Sequence, residues 1–437
     1  MNSLKIFFLL LGDIIALYAS LLIALALRYG PRFYQEFLDI HVVPFTIVFV
    51  AWIILFYIAG LYDLRRLHNN IDFLKTLLLA IAFDAIVAIL LFYFVSSFGI
   101  APKTNLFIFL VIFVVVEIAW RRLANTFLAS GEAPNRVVIA GDGSAVDEIV
   151  KAIHENPQFG YAIVGRIEEQ NDPRVLEQTI VDYHANMIAV PRHLKKDTTF
   201  ALALYSLFGK GIAVVDIADL YERVLRKVPL ADVEETWFLE NIEGAGRYYD
   251  SLKRAGEFTF ALVGGIVLLP IELIAAILVK LSSPGPAIYR QTRIGQNGKP
   301  FTLYKFRTMR QSEKNAWLDK DRARVTGVGK ILRSTHIDEL PQFINLLRGD
   351  ISLVGPRPDF IEFYEKLERA IPYYSIRTII KPGITGWAQV AFPVTESLEQ
   401  TKERLCYDIY YLKNRSLIFD FLIVLRTLKT ALTASGK

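Results

Sequence analysis

The chain has 437 residues, 53% of them hydrophobic, with 49 Lys and Arg against 44 Asp and Glu for a formal net charge of +5. So apolar a composition excludes an ordinary soluble protein and calls for a membrane component, and the length allows two or three domains. The basic excess suits anionic lipid or polyphosphate, whereas nucleic acid is disfavoured because the cations are not gathered with exposed aromatics into one polar module. One cysteine, Cys406, excludes an intrachain disulfide and a cysteine-cluster metal site, which leaves oxygen ligands for any metal.

Four long apolar runs open the chain, roughly 6–27, 43–62, 73–98 and 105–120, each near the ~20 residues a helix needs to cross a bilayer. The first is longer than the roughly 7–15-residue core of a cleaved signal peptide, and more runs follow, so it reads as an anchor. Lys5, then Arg65, Arg66 and Lys75, then Arg121 and Arg122 mark one side of the bilayer, against Arg28, Arg32 and Lys103 on the other. That asymmetry predicts a cytosolic amino terminus and a cytosolic chain after residue 122. Asp13 and Asp84 lie inside the runs with no evident cation partner; hydrogen bonding between helices is preferred to an ion path. Residues 1–130 are therefore expected to be a four-helix transmembrane region.

After the polar stretch Ser130–Asn135, Arg136–Ala140 reads as a buried parallel strand, with further strands near 162–167, 186–190 and 212–216 separated by helical stretches. This predicts a cytosolic α/β Rossmann-like domain over 131–245. Gly141-Asp142-Gly143-Ser144-Ala145-Val146 gives the dinucleotide fingerprint with valine at its third glycine, and Arg166-Ile167-Glu168-Glu169 offers an acid at a plausible distance. The missing glycine crowds helix against strand, so a structural or regulatory domain is preferred to a nucleotide-binding one.

The third region, 246–437, opens with Lys253-Arg254 and the apolar segment Phe258–Leu281, whose only charges are Glu272 and Lys280. Arg290, Arg293, Lys299, Lys305, Arg307 and Arg310 follow. Basic flanks at both ends predict that both face the cytosol, so the segment enters and returns as a re-entrant helix over 254–281, broken at Pro270. The alternative is a fifth span with a tolerated proline. Tyr289–Gly295 and Phe301–Met309 alternate apolar and polar residues as strands do, which is expected to bring the cations to one face. Leu417–Leu428 is an interfacial or a core helix.

Between these elements lies His336-Ile337-Asp338-Glu339-Leu340-Pro341-Gln342-Phe343. Ile337, Leu340, Ile344 and Leu347 recur at helical spacing and Gly349 can end the helix. Thr335-x-x-Asp338 is a capping-box pattern, so the ordinary explanation of both carboxylates is helix capping. The chemical explanation is that Lys330, Arg333, Arg348 and Arg357, the last held in Gly355-Pro356-Arg357-Pro358, surround them. Carboxylates ringed by cations point to phosphate chemistry. Lys381-Pro382-Gly383-Ile384-Thr385-Gly386 is expected to bring backbone close to a ligand.

Ser283-Pro284-Gly285-Pro286, Arg290-Gln291-x-Arg293-x-Gly295, Tyr304-Lys305-Phe306-Arg307-x-Met309, Asp338-Glu339-Leu340-Pro341-Gln342, Leu347-Arg348-Gly349-Asp350, Leu353–Pro358 and Lys381–Gly386, with the proline-bearing apolar segment, resemble the bacterial sugar transferase family. These are monotopic phosphoglycosyl transferases, or undecaprenyl-phosphate sugar phosphotransferases, and four spans followed by a Rossmann-like domain are similar to the long form of the family. The resemblance implies a mixed α/β catalytic domain that moves a sugar-1-phosphate from a UDP-sugar to undecaprenyl phosphate and releases UMP. This would be the first membrane step of exopolysaccharide, capsule or O-antigen assembly, at the bacterial inner membrane with the catalytic domain facing the cytosol. Asp338 would be the nucleophile, Glu339 a Mg²⁺ ligand, and Arg357, Lys305, Arg307 and Arg333 the phosphate-binding side chains, with membrane lipid and a homodimer partner also implied. Glu257 stands where the family often has aspartate, which puts a local anchoring contact in question. Two other readings are carried: direct attack in a ternary complex with Asp338 only a metal ligand, and a non-catalytic nucleotide-sensing scaffold.

Overall fold

A computed structural model describes residues 2–62, 71–94, 103–130, 135–167, 173–242, 246–310, 325–392 and 397–432. It comprises two units, Met1–Leu225 and Arg226–Lys437. The second begins before the expected boundary at residue 246, because Val228, Trp237 and Phe238 pack into the core formed by Tyr364, Tyr374, Leu405 and Ile409.

In the first unit the apolar runs are helices: α1 (Asn2–Tyr29), α2 (Val42–Ala59), α3 (Ile71–Phe94) and α4 (Lys103–Ser130). A 3-10 turn at Gly30–Arg32, one α-turn and a π-turn at Phe37–His41 carry α1 into α2. Leu4–Ala59 is thus one helical stretch of 56 residues, and it, Phe73–Phe92 and Tyr248–Ser282 are long and apolar enough to cross a bilayer. The fourth expected run lies within α4, which continues past Arg121 and Arg122. α1 packs along α4 and α2 along α3, around the aromatic side chains of Phe45, Phe49, Trp52, Phe109 and Phe113.

Asp13 does have a cation. Its carboxylate accepts from Arg121, from Tyr62 Oη at 2.6 Å and from Trp120 Nε1 at 2.9 Å, while Arg121 also donates to Glu117 and to the Leu61 carbonyl. The periodicity of α1 alone hides this because the partner comes from a helix over a hundred residues on. Arg121 is buried and paired inside the bundle, so it does not serve as a surface topology marker. Breaking such a pair from one side costs about 3–5 kcal/mol. Asp84 is also buried but has no partner among the described residues.

The four predicted strands form one parallel sheet of β1 (Asn135–Ala140), β2 (Tyr161–Ile167), β3 (Met187–Val190) and β4 (Ala213–Asp216), in the order β2-β1-β3-β4. The glycine loop follows β1 at the switch point, with Gly141 and Gly143 at positive φ. Val146 is absorbed into the core of α5 (Ser144–Glu155). Arg166 pairs with Asp142 of the loop at 2.7 Å and with Asp147 of α5 at 3.0 Å. Glu168 and Glu169 lie outside the described residues, as does the 131–134 linker.

In the second unit α6 (Arg247–Ser282) is one helix of 36 residues that runs through Pro270 without ending there. The proline removes one backbone donor, but the ladder resumes on both sides, so the expected break is a missing bond within a continuous helix. Phe258, Val263, Ile266, Val267, Ile274 and Ile277 are all exposed. Covering each would gain roughly 1.5–3 kcal/mol, so this surface requires lipid. Ala261 and Val279, on opposite sides of the proline, are nevertheless both buried against elements of this unit.

β5 (Ile288–Ile294) and β6 (Pro300–Phe306) pair antiparallel around Asn297-Gly298, both at positive φ as a tight hairpin requires. Register places Arg293, Leu303 and Lys305 on one face and Arg290 with Tyr304 on the other. The cations therefore divide between faces, because Arg290 and Arg293 are three residues apart in a structure of period two.

Candidate active site

The carboxylate turn is set by its neighbours. α7 (Gly327–Ser334) is capped by Thr326, and Gly329 lies so close to the Thr308 carbonyl that an added Cβ would fall 2.1 Å from its oxygen. His336 at φ 56° then reverses the chain into a 3-10 turn, Ile337–Glu339, before α8 (Gln342–Arg348) begins. Ile337 and Leu340 pack with Ala275 and Val279 of α6, and Phe343 lies against Gly264, where a Cβ would be 3.3 Å from its ring. The carboxylates are thereby fixed beside the apolar helix. Gly349, at φ 80°, ends α8 as its sequence predicts.

The capping-box reading fails here. Thr335 Oγ1 donates backwards to Ile331 O at 2.8 Å and Leu332 O at 3.2 Å, closing α7. The 3-10 turn has His336 at its N-cap and no side-chain cap.

The two adjacent carboxylates have different surroundings. Glu339 Oε1 lies 2.6 Å from Lys305 Nζ. Burial works against its charge, but the Lys305 ammonium and its hydrogen bond, with Arg357 and His336 behind them, hold Glu339 below the usual carboxylate range. Asp338 accepts no hydrogen bond among the described residues. Burial and then the Glu339 charge push its carboxyl above the usual range, against Lys305, Arg333 and His336. One carboxylate is pinned and the other is free.

A cleft beside Glu339 is lined by Arg293, Leu303, Lys305, Glu339, Gln342, Arg357, Pro358, Gly383 and Ile384; Asp338, the adjacent residue, does not itself line it. Arg357 is exposed and its guanidinium has no partner among the described residues. Its loop is anchored through backbone: β7 (Ser352–Val354) pairs parallel with β8 (Gly383–Thr385), Gly355 N donates to Thr385 O, and Gly383 N donates to Pro356 O. An added Cβ on Gly383 would lie 2.1 Å from Gly355 N, and one on Gly386 would lie 2.2 Å from Gly355 O. The glycines of 381–386 thus bring backbone against backbone, and Gly383 with Ile384 also lines the cleft, where the sequence leads one to expect backbone close to a ligand.

Behind the loop, buried Arg377 donates to the Arg357 carbonyl at 2.9 Å and to Asp359, and pairs with Asp408 at 2.9 Å. Its carbonyl and carboxylate partners lie 18 to 31 residues away, and nothing in local spacing marks it. Glu257 does make the anchoring contact, accepting from Ser352 Oγ and from Leu353 N at 2.8 Å; the longer acid still reaches the foot of β7.

Of the expected phosphate-binding side chains, Lys305 and Arg357 line the cleft, and Arg333 acts on Asp338 while donating to Thr308 Oγ1 at 2.9 Å. Arg307 does not join them. It is buried just past the end of α6, donating to Ser283 O at 2.7 Å and Pro284 O at 2.9 Å, so it satisfies carbonyls of the turn that leaves the helix. Arg293 and Gln342 line the cleft without having been singled out as site residues.

Residues 248–434 match the family described as bacterial sugar transferase, and residues 57–198 match one described as a CoA-binding domain. A UDP-N-acetylgalactosamine-undecaprenyl-phosphate N-acetylgalactosaminephosphotransferase of Aeromonas hydrophila is 42% identical over 43% of this chain and 45% of its own length. UDP-glucose:undecaprenyl-phosphate glucose-1-phosphate transferases of Xanthomonas campestris pv. campestris and Klebsiella pneumoniae are also similar. The first is 30% identical over 73% of this chain and 71% of its own, the second 29% over 93% and 92%. The chain thus spans less than half of the Aeromonas relative and nearly all of the Klebsiella one.

Proposed function

This chain belongs to the bacterial sugar transferase family, and on that premise we propose that it transfers a sugar-1-phosphate from a UDP-sugar to undecaprenyl phosphate, releasing UMP. The observation that carries the mechanism is the difference between the adjacent carboxylates: Glu339 is committed to Lys305, while Asp338 is half-buried and unpaired. An Asp338 oxygen attacks the sugar-proximal phosphorus, the bond from that phosphorus to the bridging oxygen breaks, and UMP leaves with the electron pair. An oxygen of the lipid phosphate then attacks the same phosphorus and the Asp338 carboxylate departs. Arg357 and Lys305 hold the diphosphate and Arg333 the charge around Asp338.

Mg²⁺ commonly takes one or two carboxylates and completes its shell with substrate phosphate and water, and Glu339 beside Asp338 fits that donor set. Among the described residues no three His, Cys, Asp or Glu side chains gather into a protein-only cage. When bound, the ion would neutralise charge on the donor diphosphate and on the UMP that departs from it.

The reaction belongs at the bacterial inner membrane, as the first membrane step of exopolysaccharide, capsule or O-antigen assembly, with the second unit facing the cytosol and α6 entering and returning by a bend at Pro270 that leaves the helix continuous. Burial of both Ala261 and Val279 on this one unit supports that course over a simple crossing. A cysteine at Pro300, in a Cys406→Ser background, is expected to react with membrane-impermeant maleimide only after the inner membrane is opened; labelling in intact spheroplasts would contradict the topology.

The donor reading is tested by UMP release from a panel of UDP-sugars by detergent-solubilised protein with Mg²⁺ and undecaprenyl phosphate. Turnover of one or a few donors is expected, and none from a folded protein across the panel would overturn it.

A further inference from the structure

We propose that Arg293 binds the diphosphate of the donor directly, sharing it with Arg357 across the cleft, an inference that rests on the donor reading above. Arg293 is buried on the cleft face of β5, its guanidinium 3.4 Å from the Phe360 ring centroid. Nε and Nη2 donate to Gln291 Oε1 at 3.1 and 2.8 Å, and Nη1 donates to Pro358 O at 3.1 Å. A guanidinium has five N–H donors, so one on each terminal nitrogen remains.

Every one of those acceptors is neutral. The carboxylates nearby are committed elsewhere, Glu339 to Lys305 and Asp359 to Arg377 and Tyr374. Of the two other cations lining the cleft, Lys305 is paired with Glu339, and the Arg357 guanidinium makes no hydrogen bond or ion pair among the described residues. Burial and then the Arg357 charge push the Arg293 guanidinium down to about 10, against the more weakly acting Asp359, Tyr289 and Glu339. A buried cation facing a second cation, with no carboxylate to spare, is costly for folding alone. An anion between the two arginines resolves it, and a diphosphate offers oxygens for both forks. The bond to Pro358 O also ties Arg293 to the loop that carries Arg357, so both donors move with one backbone.

The test uses the full-length protein in detergent, with inorganic pyrophosphate and UDP as probes and thermal shift and calorimetry as readouts. Pyrophosphate is expected to stabilise the wild type. Arg293→Gln should weaken its binding about 30-fold, the loss of one charge-assisted contact. Without ligand, that variant's Tm should equal or exceed the wild type's, because the buried like charge is gone. Arg293→Lys should recover part of the affinity, and KM for the UDP-sugar should follow the pyrophosphate Kd. Binding by Arg293→Gln within twofold of wild type would overturn the inference and leave the donor reading standing. So would a lowered ligand-free Tm that Arg293→Lys restores with no gain in affinity, which marks a structural arginine. If the wild type binds neither probe, the donor reading fails with it.

Discussion

Asp338→Asn is expected to reduce UMP release by at least about 10³-fold, because the amide cannot accept the phosphosugar and no second carboxylate is free to replace it. Glu339 is too tightly engaged by Lys305 to substitute. The same change should leave Tm unaltered or raise it. Burial and then the Glu339 charge lift the Asp338 carboxyl above the usual range, so its charge costs the folded chain more than that of an exposed carboxylate. A neutral amide removes that penalty and breaks no hydrogen bond. Loss of activity together with a fall in Tm, or activity within tenfold of wild type, would contradict the assignment of Asp338 as nucleophile.

Arg357→Ala is expected to raise KM for the UDP-sugar about 10²-fold with a Tm change of no more than a degree or so, since exposed surface changes usually cost little. The asymmetry follows from how the loop is built. Its backbone is held by Gly355 N on Thr385 O, by Gly383 N on Pro356 O and by Arg377 on the Arg357 carbonyl, none of which uses the Arg357 side chain. Its exposed guanidinium is therefore expected to matter for ligand binding and not for the fold. Equal loss of stability and activity in thermal-shift and steady-state assays would make it a structural arginine instead.

Much of this architecture is legible in the sequence because it is written in local patterns. The apolar runs give the helices, short β-branched runs give the four parallel strands, and the adjacent acids of Asp338-Glu339 with a Pro-flanked Arg357 mark the site. What local pattern cannot supply is the choice of partner at a distance. Arg307 and Lys305 are two residues apart at the end of β6, yet one holds the turn after α6 and the other pairs with Glu339. Asp13 seems unpartnered until Arg121 arrives from α4, and Thr335 fits a capping box but is claimed by the helix before it. The glycines of 381–386 and Gly355 serve each other across β7 and β8, which two separated glycine-containing motifs do not disclose. In each case geometry set by packing selects among chemically equivalent uses of the same side chain.

The central claim is a covalent phosphosugar on Asp338, and it is tested most directly by exposing the purified protein to its UDP-sugar and Mg²⁺ with no lipid acceptor. The expected result is about one equivalent of UMP per site in a single burst, with a mass gain of one sugar phosphate on the peptide carrying Asp338 that disappears when undecaprenyl phosphate is added. UMP formed only when the acceptor is present, with no adduct, would mean that the lipid phosphate attacks the donor itself and that Asp338 is not the nucleophile.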